Sequence, residues 1–307
     1  MYKWLSPLAV LAISGCGGGE TIDPNDIISQ TPAGTSIAAT ATKSFTQAGT
    51  GNFASGSAPT VSLKRLGAQP THSSVYELTV NGTTYTLNPV SSNVNGGLNN
   101  EFNTTVGGQT ISLFLTETSS AARIANAQID NGTNKDNFFG IFGTLTAPAN
   151  LPSGVVSFGG SNLSSGEVSV DNRAGGNDDA TISNIALSIN FGASSNNVSG
   201  SFDFADAGGD GRGSGIDIDT SGIGTQTISF NNGNLNGNTF TIGNVDLTPL
   251  ENAISGSLPS ASLNDATITG GIFGDAGDVA AGTSISLGQS TGGGDDLVVY
   301  TRIIAVK

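Results

Sequence analysis

The chain has 307 residues, of which 45 are glycine and only 11% are charged, with a formal net charge of −14. Hydrophobic residues at 36% suffice to bury a core, so disorder throughout is excluded. Scarce helix formers and abundant Gly, Ser, Thr and Asn argue against a helical body, and the acidity disfavours nucleic acid and anionic headgroups as partners.

The N-terminus comes first in chain order. Met1 to Lys3 supplies one positive charge, Trp4 to Ile13 is almost wholly apolar, and small residues lead to the chain's one cysteine in "LAISGCGGGE". The apolar run is too short for a stable bilayer span and has the layout of an export signal. Ile13-Ser14-Gly15-Cys16 resembles a bacterial lipobox, in which the thiol takes a diacylglyceryl group and cleavage leaves Cys16 as the acylated first residue. At about 0.8 kcal/mol per buried CH₂, two or three acyl chains would hold a soluble domain on a membrane. Residues 1–15 are therefore read as a lipoprotein signal peptide, Cys16 as the lipidation site, and residues 16–42 as a flexible tether rich in Gly, Pro, Asp and Ser. No Asp follows Cys16, which favours outer-membrane sorting. With one cysteine, no internal disulfide forms, and stability must come from packing and sheet hydrogen bonds.

Two β-rich blocks follow. In the first, residues 43–138, "VYELTVNGTTYTL" alternates apolar and polar residues on both sides of Asn81-Gly82, the strongest short hairpin signal. "GQTISLFLTE" gives a strand with Ile111, Leu113 and Leu115 on one face. "SSAARIANAQID" reads equally as a short helix or an edge strand. The second block, residues 139–307, is taken to start near "FFGIFGTLTAP". "NIALSINFGASSNNVSGSFDF" and "TISFNNGNLNGNTFTIGNVDL" alternate as strand–turn–strand pairs. "TPLENAISG" predicts one short helix, with Thr248 as cap, Pro249 at its first position, Glu251 completing a capping box and Gly256 as the stop. "ATITGGIFG", "GTSISLG" and "LVVYTRIIAV" predict three more strands, and the last is apolar on both faces, so it must be central or closing. Short strands at this spacing fit an antiparallel barrel, because closure removes exposed edges; a sandwich is the competing architecture.

"NLPSGVVSFGG", "ALSINFGASSNNVSGSFDF" and "GGIFGDAGDVAAGTSIS" together resemble the β-barrel domain of transferrin-binding protein B-like surface lipoproteins, over about Phe139 to Lys307. The resemblance implies an all-β chain with a β-rich handle-like domain followed by an eight-stranded antiparallel barrel. It also implies an outer-membrane lipoprotein carried to the surface by a dedicated translocator, in a family whose members include binders of host iron proteins, haem or haemoglobin. Phe273-Gly274-Asp275-Ala276-Gly277-Asp278-Val279 departs from the family's Phe/Tyr-Gly-Pro-Asn-Ala-x-Glu by losing the proline and the glutamate. No host-contact residue carries over.

The chemistry-bearing residues are sparse. His72 is the sole histidine, beside Ser73, and Cys16 would be acylated, so no Ser-His-Asp or Cys-His set forms. Asp178-Asp179 and Asp295-Asp296 are expected in glycine-rich turns. Asp206, Asp210, Asp217 and Asp219 in "DAGGDGRGSGIDID" are the best calcium candidates, but their spacing matches neither an EF-hand nor a repeat-toxin loop, and a bare acidic turn is preferred. Tyr76, Tyr85 and Tyr300 do not make a haem-ligand pair by sequence and are expected to pack in the sheet. The reading is a non-catalytic surface lipoprotein that binds a small molecule or protein, with no cofactor or metal and no nucleic-acid partner. The rival is a structural or adhesin-like envelope protein.

Overall fold

Strand pairing in the computed structural model begins where the Asn-Gly signal places it. The structure describes Ile28 and residues 31–48, 52–66, 75–90, 101–160, 164–170, 177–195, 197–206, 224–257, 262–264, 266–289 and 297–307. Asn81 and Gly82 have φ of 48° and 85°, the left-handed pair that a two-residue hairpin turn requires. They join β4 (Val75–Val80) to β5 (Thr83–Pro89). Around this hairpin stand β1 (Ser36–Ala48), β2 (Asn52–Ser55), β3 (Val61–Leu66), β6 (Glu101–Val106), β7 (Gln109–Thr118), β8 (Ala122–Asp130) and β9 (Asn134–Gly143). β9 returns to pair with β1, Lys43 opposite Phe139, and closes the sheet. β2 and β3 occupy one strand position, since both follow the same register along β1, Phe45 opposite Ser55 and Ile37 opposite Leu63. The first block, expected only as a β-rich handle, is thus itself a closed eight-stranded antiparallel barrel.

The second barrel is built from β10 (Val155–Gly160), β11 (Ser165–Val170), β12 (Asn177–Asn190), β13 (Val198–Asp206), β14 (Thr225–Asn236), β15 (Thr239–Asp246), the helix α1 (Thr248–Ser257), β16 (Ser262–Leu263), β17 (Ala266–Phe273), β18 (Val279–Gln289) and β19 (Leu297–Val306). β10 and β11 both lie between β12 and β19, and β16 extends β17 along β18, so these pairs again share strand positions. The β18–β19 ladder completes a second eight-stranded barrel. Among the described residues the fold is all-β, with α1 as the one α-helix described in full, as the composition and alternation required.

Both interiors are filled. Leu63, Leu78, Leu87, Ile111 and Leu113 pack the first, and Ile28 joins that cluster at 2% exposure. Phe158, Ile189, Phe202, Phe204, Ile228 and Ile242 pack the second. Phenylalanine rings lie over glycines on neighbouring strands: Phe230 over Gly200 and Phe240 over Gly270, at each of which a Cβ would overlap the ring. Glycine here makes room for an aromatic and lets the wall bend tightly.

The two-faced apolarity of "LVVYTRIIAV" has a specific cause. Leu297, Val299, Ile303 and Ala305 point into the second barrel. Val298, Tyr300 and Ile304 point out, but onto the first barrel, where Phe45, Phe139, Ile124 and Ile141 receive them. β9 is the counterpart: Phe138 and Phe142 face its own lumen, Phe139 and Ile141 the seam. The Phe139 and Tyr300 rings meet at 4.6 Å. Connecting residues are stitched to the second barrel as well: Thr146, 1% exposed, donates its N–H to the Ile272 carbonyl and its hydroxyl to the Gly274 carbonyl, and accepts from Asn238.

Several sequence expectations need correction. "FFGIFG" does not open the second block; it is the closing strand of the first barrel, which runs to Gly143, and the second begins at Val155. The tether does not reach residue 42, because β1 starts at Ser36 and Ile28 is already buried. "SSAARIANAQID" is neither a helix nor an edge: β8 pairs on both sides. The capping box of α1 does not form. The Thr248 N–H donates to Asp246, Glu251 accepts from the backbone of Leu263 instead, and Gly256 lies within the helix. Asp178 and Asp179 sit in β12, opposite Val168 and Glu167 of β11, rather than in a turn.

Candidate functional site

β1, β8 and β9 of the first barrel pack on β17, β18 and β19 of the second, and the seam has two ends. Ala122, Val279, Phe273 and Ile304 meet near one end of the seam, and Phe45, Phe53, Leu287 and Val298 near the other. At the first, the entry end, the chain comes in: the Arg65 guanidinium donates to the Thr31 carbonyl at 2.8 Å, and Gly34 donates to the Arg65 carbonyl. The connection between the barrels and the C-terminus are also there. The second barrel turns sharply at this end, through residues 191–197, 237–238 and 274–278. At its far end two pairs of consecutive strands are separated by longer stretches of sequence, β13 from β14 by 18 positions and β15 from β16 by 15, the latter including α1.

α1 closes the far end of the lumen. Leu250 and Ile254 are fully buried in the barrel core. The ladder from β15 to β17 ends at Val245–Ala266, and α1 follows β15 directly. Beside the helix entry lies an open cavity of about 360 Å³ lined by Ser229 and Asn231 of β14, Val245 and Asp246 of β15, Leu247, Thr248 and Glu251, and Leu263 and Asn264. The described lining carries two carboxylates, two amides and two hydroxyls beside three aliphatic side chains, and no basic group. That chemistry takes hydrogen-bond donors and turns anionic ligands away.

A second polar cluster lies on the outer wall. Asn184 donates to Asp203 Oδ2 and Thr227 to Oδ1, both at 2.7 Å. These bonds, that from Asn184 foremost, hold the Asp203 carboxyl below the usual carboxylate range. Asn184 occupies positive φ, 47°, at a bulge of β12, so the backbone is bent to aim its amide at Asp203.

Of the residues singled out from sequence, Cys16, His72, Asp210, Asp217, Asp219, Asp295 and Asp296 lie outside the described residues; Asp206 ends β13. The tyrosines do not converge. Tyr76 is buried in the first barrel, 4.6 Å from the Phe102 ring; Tyr85 is half-buried on the neighbouring strand; Tyr300 sits in the seam. Among the described residues no group of three or more His, Cys, Asp or Glu is placed to hold a metal. The cavity was missed from sequence because its lining comes from segments up to 35 positions apart, Ser229 to Asn264; the helix set between two strands was the only local signal.

No protein-family model matches the chain, and no curated protein matches it in sequence. Among solved structures it is similar to a double mutant of the vaccine antigen transferrin-binding protein B from Haemophilus parasuis Hp5, at 14% identity and TM-score 0.44 over 87% of this chain and 45% of that one. It is similar to intact Ap-TbpB, with N and C lobes, at 15% identity and TM-score 0.42 over 87% and 46%. A putative outer membrane protein from Bacteroides fragilis NCTC 9343 matches at 12% identity and TM-score 0.25 over 91% and 99%. The chain spans about half the length of the transferrin-binding protein B structures it matches.

Proposed function

We propose that this chain is an outer-membrane, surface-exposed lipoprotein, anchored through Cys16, that binds a small molecule or protein without catalysing a reaction. Its binding surface is the far end of the second barrel. The observation that carries this is the asymmetry of that barrel: a solid lumen, tight turns at one end, and a cavity, a helix and the long connections at the other. Binding residues concentrate on loops held by a rigid scaffold, and a filled lumen leaves the rim as the place to bind.

The second barrel does not have the surface of a membrane-spanning one. Thr181, Ser199, Thr227 and Thr241 are exposed on the outer wall of β12 to β15, where a lipid-facing band would be apolar. Attachment to the membrane therefore falls to the acyl group on Cys16, and delivery to the surface to a lipoprotein translocator. The motif resemblance makes haem and iron proteins the first ligands to try, although the described tyrosines offer no paired haem ligand.

Protease shaving of intact cells, combined with mass spectrometry of material retained by the purified protein, tests this reading. The expected result is surface cleavage, and a retained ligand that is lost when Ser229→Phe fills the cavity while circular dichroism is unchanged. Protection from protease would overturn the surface placement, and self-association with no ligand would favour a structural envelope role.

A further inference from the structure

The membrane-facing side follows from where the chain enters. We infer that the molecule stands on the lipid surface on its entry end, with the far end of the second barrel held outward. The inference rests on the acylation of Cys16 proposed above.

Twelve positions separate Cys16 from Ile28, which is buried in the first barrel. A chain of that length reaches at most about 40 Å. Thr31 and Gly34 are then fixed at the entry end by Arg65. Strands of ten residues such as β19 are about 33 Å long, and at a tilt near 40° they give a barrel about 25 Å tall. To bring the far end against the lipid, the segment after Cys16 would have to run back along the whole barrel and use most of its reach. With the entry end down, no such detour is needed.

The tether therefore selects one orientation.

Energy transfer to a lipid-borne acceptor tests it. In the acylated full-length protein the Cys16 sulfur is a thioether, so one introduced cysteine is the sole thiol available for a fluorophore. Ser120→Cys and Ser194→Cys mark exposed turns at the entry end; Thr133→Cys and Asn252→Cys mark exposed positions at the far end. In vesicles of phosphatidylglycerol and phosphatidylcholine carrying the acceptor, the entry-end labels should transfer more strongly than the far-end labels. Equal transfer from all four, or stronger transfer from Thr133→Cys and Asn252→Cys, overturns the orientation while leaving the anchor intact. An N-terminal peptide whose mass shows an unmodified Cys16 overturns the anchor, and this inference with it.

Discussion

At the scale of single residues, the glycines opposite phenylalanines set how closely the walls pack. At Gly270 a Cβ would overlap both the Phe240 ring and the Ala281 carbonyl oxygen, which belongs to a fixed backbone. Gly270→Ala should therefore destabilise the protein by about 1–3 kcal/mol, as overpacking does, read from the urea midpoint at unchanged slope. Gly82→Ala meets no atom, but it places a side chain at φ 85°; its cost is backbone strain and not crowding. The Asp203 cluster gives a pH prediction. The depressed carboxyl contributes stability that is present above the ordinary carboxylate pKa and lost as pH falls through its own lower value. Asn184→Gly keeps the positive φ and removes the donor. Carboxyl-carbon NMR should then show Asp203 titrating closer to an ordinary aspartate; no movement would mean that the Asn184 bond is not the cause.

At the scale of elements, α1 separates what was legible in the sequence from what was not. Its existence and approximate length follow from "TPLENAISG", whose propensities are local. The cap was misassigned because Asp246, the residue that satisfies the Thr248 N–H, lies before the segment, while Glu251 is drawn to Leu263, a tertiary partner. The same limit explains β8 and β9. Ala122, Ala125 and Ala127 favour helix intrinsically, yet they are buried between the lumen and the seam, where small side chains allow close approach. In β9, "FFGIF" looked like the start of a new domain because nothing in the local pattern says that both its faces are covered. The hairpin at Asn81-Gly82 was readable outright, since turn and strand signals agree there. The cavity was unreadable, since its lining is brought together from β14, β15, the helix entry and the residues around β16 only by the fold. Leu250 tests the helix as a plug for the lumen. Leu250→Ala, at a fully buried position, should cost about 2–5 kcal/mol, whereas Asn252→Ala on the exposed side should stay within about 0.5 kcal/mol. Similar losses at the two positions in denaturant titrations would mean that α1 does not seal the barrel.

At the scale of the molecule, the seam decides whether the two barrels behave as one body. Each barrel closes its own hydrogen-bond ladder and has its own filled interior, which by itself would allow two independent folding units. The seam argues otherwise. Phe273, Val279, Ala281 and Ile304 on one side and Ala122, Ile124 and Ile141 on the other are all nearly inaccessible to solvent, and Phe139, Leu287, Val298 and Tyr300 continue the contact toward the far end. Separated, β18 and β19 would each expose a row of large apolar side chains, a surface that soluble domains avoid. The intact protein should therefore unfold in a single calorimetric transition whose van't Hoff and calorimetric enthalpies agree. Phe273→Ala removes the largest ring of the seam's entry half and should cost about 3–5 kcal/mol. Val298→Asp places a charge where Phe45 and Phe139 pack and leaves it without a partner there. If the seam couples the barrels, the two changes together should split the transition into two, the first barrel losing protection in hydrogen exchange independently of the second. A wild-type protein that already melts in two steps would show the barrels to be separate units, and the fixed orientation of the far end would then have to come from the second barrel's own contacts with the connecting residues around Thr146.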